Sequence, residues 1–214
     1  MSRQGRVWLF DLDNTLHNAS PHIFPQINRL MREYIERNLG LDEHQANLLR
    51  QDYWSRYGAT LLGLMRHHDT DPHHFLWATH QFPDLKRMLD FQIPIRHMLS
   101  KLPGRKIIFS NAPHHYADAV LALTGLNRYF SAVYSIEKTR FRPKPMLAGF
   151  RSLLKAERLN PKHCIMVEDT LVNLVSAKKL GMKTVWVSTS SRQPPYVDVK
   201  INSVLQLPER YGRL

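Results

Sequence analysis

The segment VWLFDLDNT, residues 7–15, decides the fold, because a short apolar run leads directly into two aspartates. Such a run, with β-branched and aromatic side chains, is typical of a strand buried on both faces. Val7 to Phe10 is therefore predicted to be a strand, with Asp11 and Asp13 at its carboxyl end. Two ionised carboxylates placed there repel each other unless a cation such as Mg²⁺ neutralises them. Acidic residues at strand ends are also typical of helix caps and turns.

Three later apolar runs have the same character, and two weaker ones extend the pattern. The stronger runs are Lys106 to Phe109, Cys164 to Val167 and Thr184 to Val187, and the weaker ones are Ala132 to Ile136 and Val199 to Val204. Helix-like segments separate the later runs, at Pro113 to Leu123, Pro145 to Glu157 and Leu171 to Leu180. Alternating strands and helices predict an α/β fold, with a Rossmann-like three-layer core around a parallel sheet.

The segment between the first two strong runs has a different pattern. From about Pro21 to Phe91, apolar residues recur at helical spacing and no buried-strand run interrupts them. We therefore expect a small helical cap domain at residues 19–91, inserted after the first strand, and a core domain formed by residues 1–18 and 92–214. A cap inserted there would cover the carboxyl end of the first strand, where open α/β sheets bind ligands.

Polar side chains follow each strong run or precede a helix. The aspartate pair is followed along the chain by Ser110 and Asn111, then by Lys144 in the segment RFRPKP, and then by Glu168 and Asp169. Taken singly, these are typical of caps, turns and basic loops. Parallel strands, however, bring their carboxyl ends to one edge of a sheet. Together the residues predict a metal site, a nucleophile and donors for an anionic oxygen.

In this order, the motifs DLDNT, SN, RPKP and VED resemble those of the haloacid dehalogenase superfamily of phosphohydrolases, over about residues 6 to 188. Asn14 and Asn173 are similar to residues of the branch that contains pyrimidine 5′-nucleotidases. Two residues depart from the pattern of that branch, which often has an aromatic residue at the position of His17 and a serine at the position of Thr170.

The resemblance implies that Asp11 is a nucleophile that forms an aspartyl phosphate and that Asp13 is the general acid and base. It also implies a Mg²⁺ cofactor bound by Asp11, by the main-chain carbonyl of Asp13 and by Asp169. Glu168 would bind the metal or orient its ligands.

Three further roles follow from the same resemblance. Ser110 and the backbone amide of Asn111 would bind phosphate oxygens, and Lys144 would neutralise both Asp11 and the transferring phosphoryl group. Thr15 and Asn173 would support the metal ligands.

The charge of the chain favours anionic partners. Lysine and arginine number 30 against 18 aspartate and glutamate residues, which gives a formal net charge of +12. The basic residues are dispersed, so a small phosphomonoester is a better partner than nucleic acid.

The compartment is predicted from cysteine and apolar content. We expect no signal peptide or membrane anchor. The single cysteine, Cys164, is expected to be a buried thiol and suits a reducing cytoplasm. A monomer or a homodimer is expected.

Several alternatives remain open at this stage. The expected activity is Mg²⁺-dependent hydrolysis of nucleoside 5′-monophosphates, and the enzymatic alternatives are a sugar-phosphate or phosphoglycolate phosphatase and a phosphomutase. A dehalogenase fits less well, because it needs no acid at Asp13. The alternative outside enzymes is a phosphate-binding module with a silenced site. Histidines between His67 and His80 suggest a second metal site less strongly than a polar helix junction. The aromatic residues of the expected cap suggest either a nucleobase platform or core packing; they are Phe24, Tyr53, Trp54, Tyr57 and Trp77.

Overall fold

The computed structural model describes residues 5–213, in which β1 (Val7–Phe10) lies inside a six-stranded sheet. The other strands are β2 (Arg105–Phe109), β3 (Ala132–Tyr134), β4 (Cys164–Glu168), β5 (Lys183–Val187) and β6 (Val199–Ile201). Their order is β3-β2-β1-β4-β5-β6, and every neighbouring pair is parallel. The predicted α/β fold with a parallel sheet is confirmed.

Six helices lie between β1 and β2 in the chain, and the first five of them form one group. These five are α1 (Ile23–Leu39), α2 (Glu43–Tyr57), α3 (Thr60–His68), α4 (Pro72–Thr79) and α5 (Leu85–Met88). The chain divides into two compact units, of which one, Ala19–Leu89, contains these helices and is called the helical unit below. The other contains the sheet and is called the sheet unit.

The helices of the sheet unit alternate with its strands, except that the described chain has no helix between β5 and β6. They are α6 (Pro94–Lys101), α7 (His114–Thr124), α8 (Leu147–Ala156), α9 (Leu171–Lys179) and α10 (Leu207–Arg210). Short 3₁₀ turns lie at Asn127–Tyr129, Pro161–His163, Val204–Gln206 and Tyr211–Arg213. No helix in residues 5–213 combines the length and the apolar character that a membrane span requires.

Both faces of β1 are buried, as its apolar sequence requires. Val7 and Leu9 belong to an apolar cluster that includes Phe150 of α8. Trp8 and Phe10 alternate with them along the strand, so they point to the opposite face, where they are also fully buried. Cys164, the first residue of β4, is a buried free thiol as expected, and burial raises its pKa to about 11.

Histidines of the helical unit contact tyrosines of the same unit. The Tyr53 hydroxyl lies 2.8 Å from Nε2 of His68, and the Tyr57 hydroxyl lies 2.6 Å from Nε2 of His67. In the described part of the chain, the one group of acidic, histidine or cysteine side chains with metal-ligand spacing contains no histidine. These histidines therefore take part in ring packing and hydrogen bonds within the unit.

The aromatic side chains of the helical unit differ in exposure. Tyr53 is buried, whereas Trp54 is 66% exposed and Trp77 is 59% exposed. The two tryptophans are therefore not core residues, so core packing, one of the two alternatives considered from the sequence, is wrong for them.

Gly149, in the first turn of α8, permits close packing against the loop before the helix. A Cβ atom at this position would lie far inside the van der Waals distance of the Arg142 carbonyl oxygen. Because that oxygen belongs to backbone and not to a flexible side chain, the loop that carries Lys144 would have to move.

We predict that Gly149→Ala lowers the free energy of unfolding by about 1–3 kcal/mol, although alanine is the better helix former by up to ~1 kcal/mol. Urea denaturation would measure the loss. Gly5→Ala is the control, because a Cβ atom there has no neighbour within 4 Å. Equal midpoints for Gly149→Ala and the unmodified protein would contradict the packing argument.

Candidate active site

Loops at the carboxyl edge of the sheet carry the residues that the sequence analysis selected. Asp11 directly follows β1, Ser110 follows β2 and Asp169 follows β4. These three strands are parallel neighbours, with β1 paired to both of the others. Their ends therefore bring the three side chains to one edge. Lys144 comes from the loop that connects β3 with α8.

Lys144 joins two of these strand ends through buried ion pairs. Its Nζ atom lies 2.7 Å from Oδ1 of Asp11 and 2.7 Å from Oε2 of Glu168. The lysine is only 2% exposed and the glutamate 1%. Burial by itself lowers the pKa of Lys144, but the charges of Asp11 and Glu168 outweigh it and raise that pKa above its ordinary value. The lysine therefore remains charged.

Asp11, Glu168 and Asp169 form an acidic cluster around this lysine. Each offers a carboxylate oxygen, and these oxygens lie within 4.8 Å of one another. Burial, and then the charge of Glu168, raises the pKa of Asp11 to about 8. Burial, and then the charge of Asp11, raises the pKa of Asp169. Because three carboxylates share one ammonium group, the cluster lacks positive charge, and its oxygen donors suit a hard divalent cation such as Mg²⁺.

Hydrogen bonds from two side chains hold the backbone of the loop that carries Lys144. The Asn111 side chain accepts from the backbone N–H of Lys144 at 2.8 Å and donates to its carbonyl oxygen at 2.9 Å. The Ser176 hydroxyl donates to the carbonyl oxygen of Pro145 at 2.6 Å. From the sequence, the backbone amide of Asn111 was predicted to bind phosphate, but its side chain was given no role and Ser176 was not selected. No local pattern could show these contacts, because the partners are 33 and 31 residues apart.

Ser110 is buried at the end of β2. Its hydroxyl oxygen accepts a hydrogen bond from the backbone N–H of Ala112 at 3.0 Å. Its own N–H donates to the carbonyl oxygen of Tyr134 at 3.0 Å, which continues the pairing between β2 and β3. The hydroxyl and the backbone amides that follow lie just before the N-terminus of α7. Backbone N–H groups at a helix N-terminus bind anions.

The backbone around Asp169 is held by neighbouring polar groups. The indole Nε1 of Trp186 donates to the carbonyl oxygen of Asp169 at 2.7 Å. Thr170 donates its N–H to Oε1 of Glu168 at 3.2 Å and its hydroxyl to Oδ1 of Asp169 at 3.3 Å. The threonine that departs from the family pattern thus contacts both acidic residues. Trp186 was not selected from the sequence, where it appears only as an apolar residue of β5.

Asp13 lies outside the acidic cluster and has partners of its own. Its Oδ1 accepts a hydrogen bond from the Tyr116 hydroxyl at 2.6 Å and lies 3.0 Å from Nε2 of His17. Burial, and then the charge of Asp13, raises the pKa of Tyr116 above its ordinary value, so the hydroxyl keeps its proton and donates. Tyr116 was missed because it comes from α7, 103 residues along the chain.

The remaining selected residues are Asn14, Thr15 and Asn173. Asn14 adopts a left-handed backbone conformation with φ 59°, which asparagine tolerates better than most residues. Thr15 is buried, and its Oγ1 has no hydrogen-bond partner within residues 5–213. Asn173 is buried in the first turn of α9, and in the described chain its side chain makes no hydrogen bond with Asp11 or Asp169.

We predict that the metal-free protein loses stability as the pH rises from roughly 5 to 8, and that Asp11→Asn reduces this slope. Folded Asp11, with a pKa of about 8, keeps a proton that the unfolded chain releases near pH 4. The stabilisation is therefore complete below about pH 4 and is lost progressively as the pH rises to about 8. Urea denaturation in excess chelator at several pH values measures it, and identical slopes for both proteins would contradict a raised Asp11 pKa.

Comparisons with known proteins agree with this architecture. The chain is 23% identical to Phosphate metabolism protein 8 of Saccharomyces cerevisiae over 193 residues, which cover 83% of this chain and 60% of that protein. The chain thus spans less than two thirds of the length of this curated relative.

Solved structures share the fold over nearly the whole chain. The structure of a HAD phosphatase from Thermococcus onnurineus has a TM-score of 0.69 at 21% identity, covering 97% of this chain and 98% of that one. L-2-haloacid dehalogenase from Xanthobacter autotrophicus has a TM-score of 0.63 at 17% identity, with the same coverage of 97% and 98%. The sequence model of the family of haloacid dehalogenase-like hydrolases matches residues 6–181, and the chain belongs to this family.

Proposed function

We propose that this chain is a Mg²⁺-dependent phosphomonoester hydrolase in which Asp11 forms an aspartyl phosphate. The observation that carries the proposal is the buried Lys144, which pairs with Asp11 and Glu168 while Asp13, two residues from the nucleophile, has separate hydrogen-bond partners. The site thus contains a carboxylate nucleophile, a fixed positive charge and a second carboxyl group in one place.

In the first step a carboxylate oxygen of Asp11 attacks phosphorus, and the bond from phosphorus to the ester oxygen breaks. Asp13 gives its proton to the departing alkoxide, which leaves as an alcohol. In the second step Asp13, now ionised, takes a proton from water as the water oxygen attacks the aspartyl phosphate. Inorganic phosphate leaves and Asp11 is restored as a carboxylate.

The residues proposed to hold Mg²⁺ are Asp11, the main-chain carbonyl of Asp13 and Asp169. Both Glu168 oxygens already accept hydrogen bonds, from Lys144 and from the Thr170 N–H, which favours an orienting role for this residue. Bound Mg²⁺ would offset the negative charge of the carboxylates and of the phosphoryl group.

Phosphate oxygens would be bound by Lys144, by the Ser110 hydroxyl and by the backbone amide of Asn111. The Asn111 side chain connects two of these donors, because it holds the backbone of Lys144 with two hydrogen bonds. Donors fixed before substrate arrives need little rearrangement as charge shifts during phosphoryl transfer.

The arrangement of Asp13 favours phosphoryl transfer over dehalogenation. Displacement of a halide needs no proton donor, whereas an alkoxide leaving group does. The hydrogen bonds that Tyr116 and His17 make to Asp13 therefore support a phosphatase.

We predict that Asp11→Asn abolishes phosphate release from monoesters, because the amide resembles the carboxylate in shape but does not attack phosphorus. Wild-type activity should require Mg²⁺, stop in excess chelator and return when Mg²⁺ is restored. Asp52→Asn makes the same chemical change in an exposed ion pair of α2 and should be fully active. A colorimetric phosphate assay measures all three proteins.

Residual release by Asp11→Asn above about a thousandth of wild type would rule out Asp11 as nucleophile. Turnover that persists in chelator would rule out the metal requirement. Phosphoryl transfer between substrate positions without free phosphate would identify a phosphomutase, and no reaction with any monoester would identify a silenced binding module.

The proposed substrate class is nucleoside 5′-monophosphates, with pyrimidine nucleotides preferred. The support is the resemblance at Asn14 and Asn173, the exposed Trp54 and Trp77 of the helical unit, and the net charge of +12. An exposed indole is a flat apolar surface on which a base stacks for roughly 1–3 kcal/mol.

We predict that kcat/KM is higher for uridine and cytidine monophosphates than for a hexose phosphate or phosphoglycolate. Replacing Trp54 or Trp77 by alanine should lower kcat/KM for nucleotides about tenfold and leave p-nitrophenyl phosphate unaffected. Leu123→Ala, at an exposed apolar residue of α7, is the matched control. A tenfold preference for a non-nucleotide substrate would overturn the nucleotidase assignment and leave the phosphatase assignment intact.

A further inference from the structure

We infer that Tyr116 and His17 are positioning residues that fix the carboxyl group of Asp13 so that one oxygen, Oδ2, is reserved for proton transfer. This inference rests on the proposed phosphatase function and deepens it. It assigns roles to two residues that lie outside the acidic cluster.

Both contacts converge on the same oxygen of Asp13. The Tyr116 hydroxyl donates to Oδ1 at 2.6 Å, and Nε2 of His17 lies 3.0 Å from Oδ1. Tyr116 is 1% exposed and His17 is 5% exposed, so neither can turn to solvent without disturbing the core. The two residues also come from different segments, the turn after β1 and the first turn of α7. Asp13 is therefore held from two directions.

The other carboxyl oxygen of Asp13 is available. No group in the described chain forms a hydrogen bond with Oδ2, and the Asp13 side chain remains 14% exposed. A carboxyl oxygen that accepts two hydrogen bonds has both lone pairs engaged. The acidic proton is therefore placed on Oδ2, the oxygen that is free to approach a leaving group.

The surroundings of His17 fix which of its nitrogens carries hydrogen. Nδ1 is buried and has no hydrogen-bond partner within residues 5–213. Hydrogen on Nδ1 alone would bury an unsatisfied donor and would point the Nε2 lone pair at Asp13. The proton therefore lies on Nε2, and His17 donates to Asp13.

The hydrogen bonds to Asp13 keep its carboxyl group oriented toward the reacting centre. Whenever Asp13 is ionised, its negative charge acts on Asp11, which is two residues away and buried with other carboxylates. Repulsion between them favours rotation of Asp13 away from the reacting centre. The two donors oppose that rotation, and proton transfer requires an approach within hydrogen-bond distance of the ester oxygen.

The step that depends on this restraint is departure of the alcohol. The hydrogen on Oδ2 of Asp13 moves to the ester oxygen as the phosphorus–oxygen bond breaks and the bond from Asp11 to phosphorus forms. Asp13 is left ionised, with its charge on a carboxylate whose Oδ1 still accepts both hydrogen bonds. A leaving group that is already a stable anion needs this proton much less.

The experiment compares two substrates, an alkyl phosphate with a poor leaving group and p-nitrophenyl phosphate with a good one. Tyr116→Phe removes only the hydroxyl and should lower kcat/KM for the alkyl phosphate about tenfold, with a loss of less than about threefold for p-nitrophenyl phosphate. His17→Leu should act in the same direction. His17→Gln, which can place an N–H near Oδ1, should restore most of the loss.

Tyr134→Phe is the matched control. Tyr134 is also buried, and its hydroxyl also donates to a carboxylate at 2.6 Å, but that carboxylate belongs to Glu157, which is not a residue of the site. Loss of this hydrogen bond should change both substrates equally. Thermal melting of every variant verifies that it folds.

A double-mutant cycle completes the test. In an Asp13→Asn background, Tyr116→Phe should cause no further loss with the alkyl phosphate, because the group it positions has lost its acidic proton. Equal losses with both substrates, additive losses in the cycle, or failure of His17→Gln to exceed His17→Leu would overturn the inference. If Tyr116→Phe does not fold, the two His17 variants decide it. Absence of phosphate release by the wild type overturns the proposed function instead.

Discussion

The buried ion pairs of Lys144 with Asp11 and Glu168 are the interaction on which the rest of the site depends. Removing one ammonium and two carboxylates from water is unfavourable by several kcal/mol per ion, and only close geometry offsets the penalty. The sheet supplies that geometry by placing the ends of β1 and β4 side by side. The lysine loop supplies the cation, and its backbone is held by Asn111 and Ser176. Packing at Gly149 sets the path of the same loop.

The two aspartates of the first motif are close in sequence but have different surroundings. Asp11 is paired with an ammonium group inside an acidic cluster. Asp13 instead contacts a tyrosine hydroxyl and an imidazole nitrogen. The chain turns directly after Asp13, where Asn14 has a left-handed backbone and the N–H of Leu16 donates to the Leu12 carbonyl oxygen. Separate partners allow two carboxyl groups of the same type to take different chemical roles, one as a nucleophile and one as a proton carrier, in the proposed reaction.

Much of the fold could be predicted because buried strands have a strong local pattern. Val7–Phe10 has the predicted bounds, and β4 and β5 differ from prediction by one residue. The weaker runs were predicted too long: β3 ends at Tyr134 and β6 at Ile201. Helix α8 begins at Leu147 and not at Pro145, because Met146 is extended and its N–H closes a turn onto Pro143. A proline marks the region of a helix start but does not fix the first helical residue.

The sequence by itself determined the parallel α/β fold and the set of polar residues at the strand ends, because both follow from patterns within a few residues of each strand. Only the tertiary structure decided which groups those residues contact. Tyr116 reaches Asp13 across 103 residues, and Trp186 reaches the Asp169 carbonyl across 17. In the sequence both residues fit the apolar pattern of a helix or a strand. Only packing places the Tyr116 hydroxyl and the Trp186 indole nitrogen next to the site. Such contacts depend on side-chain direction in three dimensions, which local periodicity does not encode.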